Sequence, residues 1–169
     1  MADAVQWIAR RRVTLGFACG AIAGWLARPT RGSLLAGFVV AAIGEALRIW
    51  AAGHLEKGRE VTMTGPYRFT RHPLYLGSTI MGVGLAIAAH SVIVAALVLG
   101  YLAVTLAAAI GREEEHLTEK FGAAYPAYRD GFARGDARRF SLRRAATNRE
   151  YRALIGFCVA FALLALRLR

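Results

Sequence analysis

Residues 92–110 read VIVAALVLGYLAVTLAAAI, an apolar run without a charged side chain. A helix needs about 20 predominantly apolar residues to cross the hydrocarbon core of a bilayer, so this run alone can provide one crossing. Hydrophobic residues make up 56% of the 169-residue chain, the mean hydropathy is +0.39, and the apolar residues are gathered in blocks. The composition therefore predicts an integral membrane protein rather than a soluble domain.

Four further apolar stretches flank this run, at about 13–27, 33–52, 74–89 and 154–168. The sequence thus predicts an all-α, polytopic membrane protein with about five transmembrane helices. Three of these stretches are short for a crossing. We expect 74–89 and 92–110 to form a tight hairpin, and flanking arginines to extend the first and last helices by snorkelling.

The chain is strongly basic, with 22 Lys and Arg against 11 Asp and Glu, a formal charge of +11. Because the basic residues lie between apolar blocks, the inner face of a membrane is the predicted partner and nucleic acid is not. Most of them precede the first apolar stretch or lie in 53–73 and 112–152. By the positive-inside rule, we expect the amino terminus and both long polar segments to face the cytoplasm.

Arg10, Arg11 and Arg12 ahead of an apolar stretch are also typical of a signal peptide. No convincing small-residue cleavage pattern follows, and a second apolar stretch begins at once. We therefore expect a retained first helix.

Cysteine and histidine spacing predicts neither a disulfide nor a metal site. Cys19 and Cys158 lie in apolar runs far apart in sequence, without a CxxC or Cys/His ligand pattern. The four histidines have no zinc-like spacing either.

The first polar segment of interest is GPYRFTRHPLYLG, residues 65–77, which leads into the 74–89 stretch. Gly65 and Pro66 indicate a turn, and Pro73 fits the first turn of a helix. Such a helix start offers unpaired N–H groups and a partial positive charge beside Arg71 and His72, which attract a carboxylate or phosphate. The structural alternative is an anchor at the lipid headgroups.

The second polar segment is GREEEHLTEKFGAAYPAYR, residues 111–129, which leaves the 92–110 run. Successive glutamates face different sides of a helix, so one carboxylate is expected to turn inward while the others face water. Glu113 or Glu114, beside the loop that carries Arg71 and His72, is a candidate for binding an ammonium or a ribose. Glu115 is expected to face water.

Five other polar or aromatic residues are candidates for the substrate side of a site. Tyr125 and Tyr128 can form an aromatic lid or an interfacial tyrosine pair. Glu45 and Arg48 lie three apart on one face of the predicted second helix, and His54 follows just outside it. Charges in a membrane helix usually face a cavity or each other, so they border an acceptor pocket or form an internal salt bridge.

The segment GPYRFTRHPLYLG, followed about forty residues later by EEEHLTEKFGAAYPAY, resembles the isoprenylcysteine carboxyl methyltransferase and phospholipid methyltransferase families of integral membrane enzymes. The resemblance covers roughly residues 45–130. It implies a methyltransferase with a cofactor-binding core (53–130) and a pocket at the cytoplasmic face. We expect one domain in which an amino-terminal hairpin (13–52) precedes this core, and a basic segment with the last helix (131–169) follows it and departs from the family pattern. The resemblance further implies S-adenosylmethionine as cofactor and a hydrophobic acceptor that enters from the lipid.

The resemblance also implies roles for individual residues. Arg71, His72 and Arg112 are the candidate catalytic residues. In the prenylcysteine enzymes an arginine four residues before the cofactor glutamate is thought to hold the substrate carboxylate, and that place is Ala109 here. The acceptor, an isoprenylcysteine-type carboxylate or a lipid headgroup amine, therefore stays open. With Glu114 included, the candidate cofactor-binding residues are Lys57, Glu60, Val61, Thr62, Tyr67, His72, Pro73, Leu74, Tyr75, Gly82, Gly84, Glu113 and Glu114.

Several alternatives accompany this interpretation. Gly82 and Gly84 form a lone GxG, which close helix packing also explains. The basic residues of 132–152 can bind anionic lipid or a substrate headgroup. The tyrosines and the His-Pro pair are also similar to those of membrane sterol reductases, although no phosphate-binding signature for NADPH accompanies them. A non-catalytic membrane scaffold is the third possibility.

Overall fold

The computed structural model describes residues 16, 18–131 and 138–168, so the predicted first stretch, 13–27, lies partly outside the described residues. Within them no residue is in a strand, which confirms the all-α prediction. The α-helices are α1 (18–26), α2 (Arg31–His54), α3 (Pro73–Ala89), α4 (Val92–Phe121), α5 (Ala124–Arg129), α6 (Leu142–Thr147) and α7 (Tyr151–Ala165), and a short 3-10 helix spans Gly65–Arg68.

Local sequence sets the helix ends. The Thr30 side chain accepts a hydrogen bond from the Ser33 backbone N–H, and the Ser33 hydroxyl accepts one from the Thr30 N–H, a capping box that starts α2. Pro73 occupies the first turn of α3, as expected. His90, with a left-handed φ of 48°, ends α3, and the Ser91 side chain caps α4. Only two residues therefore join α3 to α4, and the predicted tight hairpin is present.

Among the described residues, two helices are long and apolar enough to cross a membrane, α2 with 24 residues and α4 with 30. At 1.5 Å per residue α4 is about 45 Å long, so its polar end, from Gly111 onward, extends beyond a hydrocarbon core of about 30 Å. Only 6% of its apolar window is buried, as expected for a surface in contact with lipid. The shorter apolar helices α3 and α7 have 17 and 15 residues, and the expectation of five crossings stays a prediction.

The helices run alternately between two ends of the molecule. Residues 25–28, 90–93 and 166–168 surround a cavity of about 900 Å³ at one end. Residues 55–75 and 113–128 meet at the other, here called the loop end. The two long polar segments thus share one end, which agrees with their predicted position on one side of the membrane. That this side is the cytoplasm stays a prediction.

Small residues hold α2 against α3. A Cβ atom added to Gly84 would lie 2.5 Å from the backbone nitrogen of Ala41, and one added to Gly44 would lie 2.6 Å from the carbonyl oxygen of Gly77. Both contacts are with backbone atoms, so only glycine permits this approach. The close pairing of α2 and α3 fixes the chain segments that leave them at the loop end.

Aromatic packing joins α7 to the same pair. The Phe38 ring of α2 lies 5.3 Å from the Phe157 ring and 5.3 Å from the Phe161 ring of α7. Such distances are typical of favourable aromatic pairs. This contact places the start of α7, and the basic segment before it, beside the carboxyl end of α2.

Candidate active site

A cavity of about 430 Å³ lies at the loop end, within the usual range for small-molecule sites. Its walls are loop 55–62, the start of α3, the polar end of α4 and the short helix α5. The residues that line it are Leu55, Glu56, Lys57, Gly58, Glu60, Val61, Thr62, Tyr67, Arg71, His72, Pro73, Leu74, Tyr75, Glu113, His116, Leu117, Lys120, Phe121, Tyr125 and Tyr128.

The predicted turn before α3 forms one wall. Gly65 has a φ of 58°, and a Cβ atom there would lie 2.6 Å from the His54 ring, so this position requires glycine. The Thr70 hydroxyl accepts a hydrogen bond from the His72 N–H at 3.3 Å and orders the residues just before the helix. Pro73 then starts α3 with Leu74 in its first turn, where no helical carbonyl is available to the Leu74 N–H.

A carboxylate of α4 is bound to this wall. Glu114 Oε1 lies 3.0 Å from His72 Nε2 and 3.4 Å from an Arg71 guanidinium nitrogen. The His72 hydrogen bond, reinforced by the Arg71 charge, holds the pKa of Glu114 below its ordinary value. The His72 ring also stacks on Tyr75 with centroids 5.7 Å apart. These contacts connect the start of α3 to the polar end of α4.

The two neighbouring glutamates therefore differ in their surroundings. Glu114 is turned toward Arg71 and His72, while Glu113 lines the cavity. Within the described residues, Glu113 makes no salt bridge. Its carboxylate is thus the one that a cationic ligand in the cavity can reach without breaking a protein ion pair.

Two tyrosines of the α5 region cover the cavity. The Tyr128 hydroxyl donates to the Tyr67 carbonyl at 2.7 Å, and burial raises the pKa of Tyr128 to about 12. Tyr125 is only 2% exposed, and its hydroxyl has no hydrogen-bond partner in the described part of the chain. Burial, with the nearby Glu114 charge, raises the pKa of Tyr125 to about 12. Both phenols therefore stay protonated at neutral pH, both side chains line the cavity, and the aromatic lid stays a prediction.

Three other predicted residues lie away from the cavity. Arg112 is exposed, and its Nε donates to the Ala108 carbonyl at 3.3 Å. A Cβ atom added to Gly82 would contact the Leu102 side chain of α4, and Gly84 faces α2. Helix packing accounts for both glycines, and the cofactor and catalytic roles of these residues stay predictions.

Glu45 and Arg48 of α2 form an internal charged cluster with Glu150. Arg48 Nε lies 2.7 Å from a Glu150 oxygen and 3.7 Å from a Glu45 oxygen, and both glutamates are buried. An Arg48 guanidinium nitrogen also donates to the Leu74 carbonyl at 3.3 Å, so the cluster reaches the first turn of α3. His54 is buried as well. The predicted internal salt bridge between Glu45 and Arg48 is present, and Arg48 contacts the cavity wall through the Leu74 carbonyl.

The structure brings most of the predicted site together. The predicted residues outside the cavity are Glu45, Arg48, His54, Gly82, Gly84, Arg112 and Glu114. Those that line it are Lys57, Glu60, Val61, Thr62, Tyr67, Arg71, His72, Pro73, Leu74, Tyr75, Glu113, Tyr125 and Tyr128.

Some residues that line the cavity were not predicted from the sequence. His116, Leu117 and Lys120 also line the cavity. They follow Glu113 by three, four and seven positions, which places them on the same helical face. Once Glu113 was assigned to the cavity, these three residues could have been predicted to line it as well. No such sequence spacing predicts Glu56 as a lining residue, because its position in the wall depends on the conformation of loop 55–62.

The family model described as phospholipid methyltransferase matches residues 12–124, which include loop 55–62, the turn before α3 and all of α4. The chain belongs to the phospholipid methyltransferase family. The family is one of membrane methyltransferases, so the cavity lies in a protein of a methyltransferase family. The match ends just before Tyr125, so the two lid tyrosines and the basic segment lie beyond it.

A curated relative extends this comparison. The chain is 35% identical over 86 residues to the nickel-cobalt-cadmium resistance protein NccN of Alcaligenes xylosoxydans xylosoxydans. The matched region covers 50% of this phospholipid methyltransferase family member and 38% of NccN, so the chain spans well under half of that relative's length. No solved structure matches.

Proposed function

We propose that this chain transfers a methyl group from S-adenosylmethionine to a hydrophobic acceptor dissolved in the membrane, and that the loop-end cavity holds the cofactor. One observation carries the proposal: the turn before α3 and the glutamate run of α4, about forty residues apart in sequence, form two walls of one cavity. Membership of a membrane methyltransferase family supports the same reaction.

The side chains around the cavity fit the parts of this cofactor. Glu113 suits an ammonium group, since its carboxylate lines the cavity. Lys57, Arg71 and the start of α3 suit a carboxylate, because they combine two cations with the positive end of a helix. The Tyr67 and Tyr125 rings offer aromatic faces for an adenine or a sulfonium.

When bound, S-adenosylmethionine supplies an electrophilic methyl group on a sulfonium. The chain's own task is to align the acceptor with that methyl group and to exclude water, because methyl transfer is an in-line displacement that disperses charge. The lid formed by Tyr125 and Tyr128 suits the second task, since both residues cover the cavity.

The acceptor decides whether a base is needed. A carboxylate, including an isoprenylcysteine-type carboxylate, can accept a methyl group directly, whereas an ammonium headgroup must first lose a proton. Of the candidate bases, His72 lines the cavity and contacts Glu114, while His54 is buried behind Gly65. We therefore assign proton acceptance to the His72–Glu114 pair if the acceptor is an amine.

The setting that we propose is a multi-pass protein of the inner or plasma membrane, with the loop end in the cytoplasm. The two long apolar helices and the basic character of the loop-end segments support this arrangement. Among the described residues, no group of three or more His, Cys, Asp or Glu side chains is placed to hold a metal ion.

Thermal unfolding of the detergent-purified protein tests the cofactor. A ligand at 100 times its Kd stabilises the folded state by about 2.7 kcal/mol, so S-adenosylmethionine and S-adenosylhomocysteine should both raise Tm. NADPH should not. Stabilisation by NADPH alone would instead support the reductase, and stabilisation by none of the three would favour a scaffold.

A methyl-transfer screen then tests the acceptor. Labelled S-adenosylmethionine is incubated with the protein and either membrane lipid extracts or prenylcysteine analogues. Label on an amine, a carboxylate or a thiol identifies the acceptor class. Absence of transfer to every extract and analogue, despite cofactor binding, would count against the proposed reaction.

A further inference from the structure

The basic segment 138–150 caps the carboxyl end of α2. Arg144 donates to the Gly53 carbonyl at 2.6 Å, and the Asn148 side chain donates to the carbonyls of Ala52 and Leu55, both at 2.9 Å. Carbonyls in the last turn of a helix lack helical partners and carry a partial negative charge, so an arginine and an amide are suitable donors. The segment thus completes α2.

The same segment is bonded to loop 55–62. Arg144 Nε lies 2.7 Å from a Glu56 carboxylate oxygen, and an Arg138 guanidinium nitrogen lies 2.6 Å from a Glu60 oxygen. Within the loop, the Glu56 N–H donates to the hydroxyl of buried Thr62 at 3.1 Å. The loop that forms one wall of the cavity is therefore closed by its own hydrogen bond and bound to the basic segment by two ion pairs.

These contacts separate the arginines of the segment into two kinds. Arg138 and Arg144 are partly buried, with 26% and 22% of their side chains exposed, and each pairs with a carboxylate. Arg143 is exposed, and its side chain has no hydrogen-bond or salt-bridge partner in the described ranges. A patch that only attracts anionic lipid would leave the arginines exposed, so the contacts of Arg138 and Arg144 indicate another role.

We propose that Arg138 and Arg144 are positioning residues for the cofactor site: they hold loop 55–62 as the outer wall of the cavity. The loop presents Lys57, Val61 and Thr62 to the cavity. The choice of S-adenosylmethionine as the ligand rests on the proposed function above. The family match ends at residue 124, so part of the apparatus that shapes the cavity lies outside the matched region.

The test compares Arg144→Gln with Arg143→Gln, a matched control one residue away on α6. Each folded protein is titrated with S-adenosylhomocysteine, and amide hydrogen exchange of residues 55–62 is measured without ligand. For Arg144→Gln we expect affinity to fall roughly fivefold to tenfold and loop exchange to quicken by a similar factor, because the partly exposed ion pair with Glu56 and the hydrogen bond to the Gly53 carbonyl are lost. Arg143→Gln should match the parent in both measurements.

A second comparison separates positioning from general destabilisation. Glu56→Gln removes the same ion pair but keeps the Arg144 hydrogen bond to Gly53, so it should change both measurements in the same direction as Arg144→Gln. The double variant should be no weaker than the weaker single variant. Arg144→Lys keeps the charge and should recover part of the affinity. If Arg144→Gln does not fold, the comparison of Glu56→Gln with Arg143→Gln replaces it as the test.

The inference fails if Arg144→Gln and Glu56→Gln leave both loop exchange and affinity at the values of the Arg143→Gln control. It also fails if their effects simply add. If the parent does not bind S-adenosylhomocysteine, the proposed function fails instead, and the exchange comparison in the ligand-free protein still decides whether the loop depends on the arginine.

Discussion

Replacing Glu113 by Gln should weaken cofactor binding more than the same change at Glu115. Both glutamates are exposed, but Glu113 lines the cavity and Glu115 does not. Both changes remove one charge from the same helix and keep the size of the side chain. Any difference between the two variants therefore reports the position of the carboxylate rather than the net charge.

The expected magnitude follows from the surroundings of Glu113. A hydrogen bond to a charged group contributes about 1.5 to 3 kcal/mol, and exposure to solvent reduces this value. Because Glu113 is an exposed residue at the cavity wall, we expect about 1.4 kcal/mol, or a tenfold loss of affinity. Glu115→Gln should change affinity less than twofold, on the order of the small effects at surface charges.

The assay is calorimetric titration of each folded variant with S-adenosylhomocysteine, which carries the same ammonium and carboxylate as the cofactor. Circular dichroism confirms that the helices persist in both variants. Equal affinities for the parent, Glu113→Gln and Glu115→Gln would refute the assignment of Glu113 to the ammonium and with it the two-wall site.

The remaining predictions concern pH, packing and topology. The pKa of Glu114 is lower in the folded protein than in the unfolded chain. Its contribution to stability is therefore present above the unfolded pKa and is lost as pH falls through the folded pKa. The fall in Tm from pH 6 to pH 3 should be smaller in Glu114→Gln than in the parent, and an equal fall in both would contradict this. Gly84→Ala should lower the free energy of unfolding by about 1 to 3 kcal/mol or prevent folding, because the new Cβ would meet the backbone of α2. Gly100→Ala has open space around the new Cβ and should have little effect. A thermal scan of both variants measures the difference. A reporter fused after Arg169 should behave as extracytoplasmic and one inserted near Arg138 as cytoplasmic; the same location for both would remove the last crossing.

Much of the site was predictable from sequence because its residues cluster in short segments. The turn before α3 needs Gly65 and Pro73 at particular positions, and both are visible in the sequence. The pairing of Arg144 with Glu56 was not predictable, since the two residues are 88 positions apart and neither lies in a motif. Electrostatic contacts at such separation depend on how α2 and α7 pack.

The apolar runs alone specify an all-helical membrane protein, because a backbone in lipid must satisfy its hydrogen bonds internally and long apolar runs do so as helices. The sequence also specifies where α3 and α4 begin, through Pro73 and Ser91. Which of two adjacent glutamates lines the cavity became clear from the packing of the folded chain and not from the motif. Neighbouring residues differ by about 100° around a helix, so the roles of Glu113 and Glu114 depend on the rotation of α4 against α3, which side-chain packing sets.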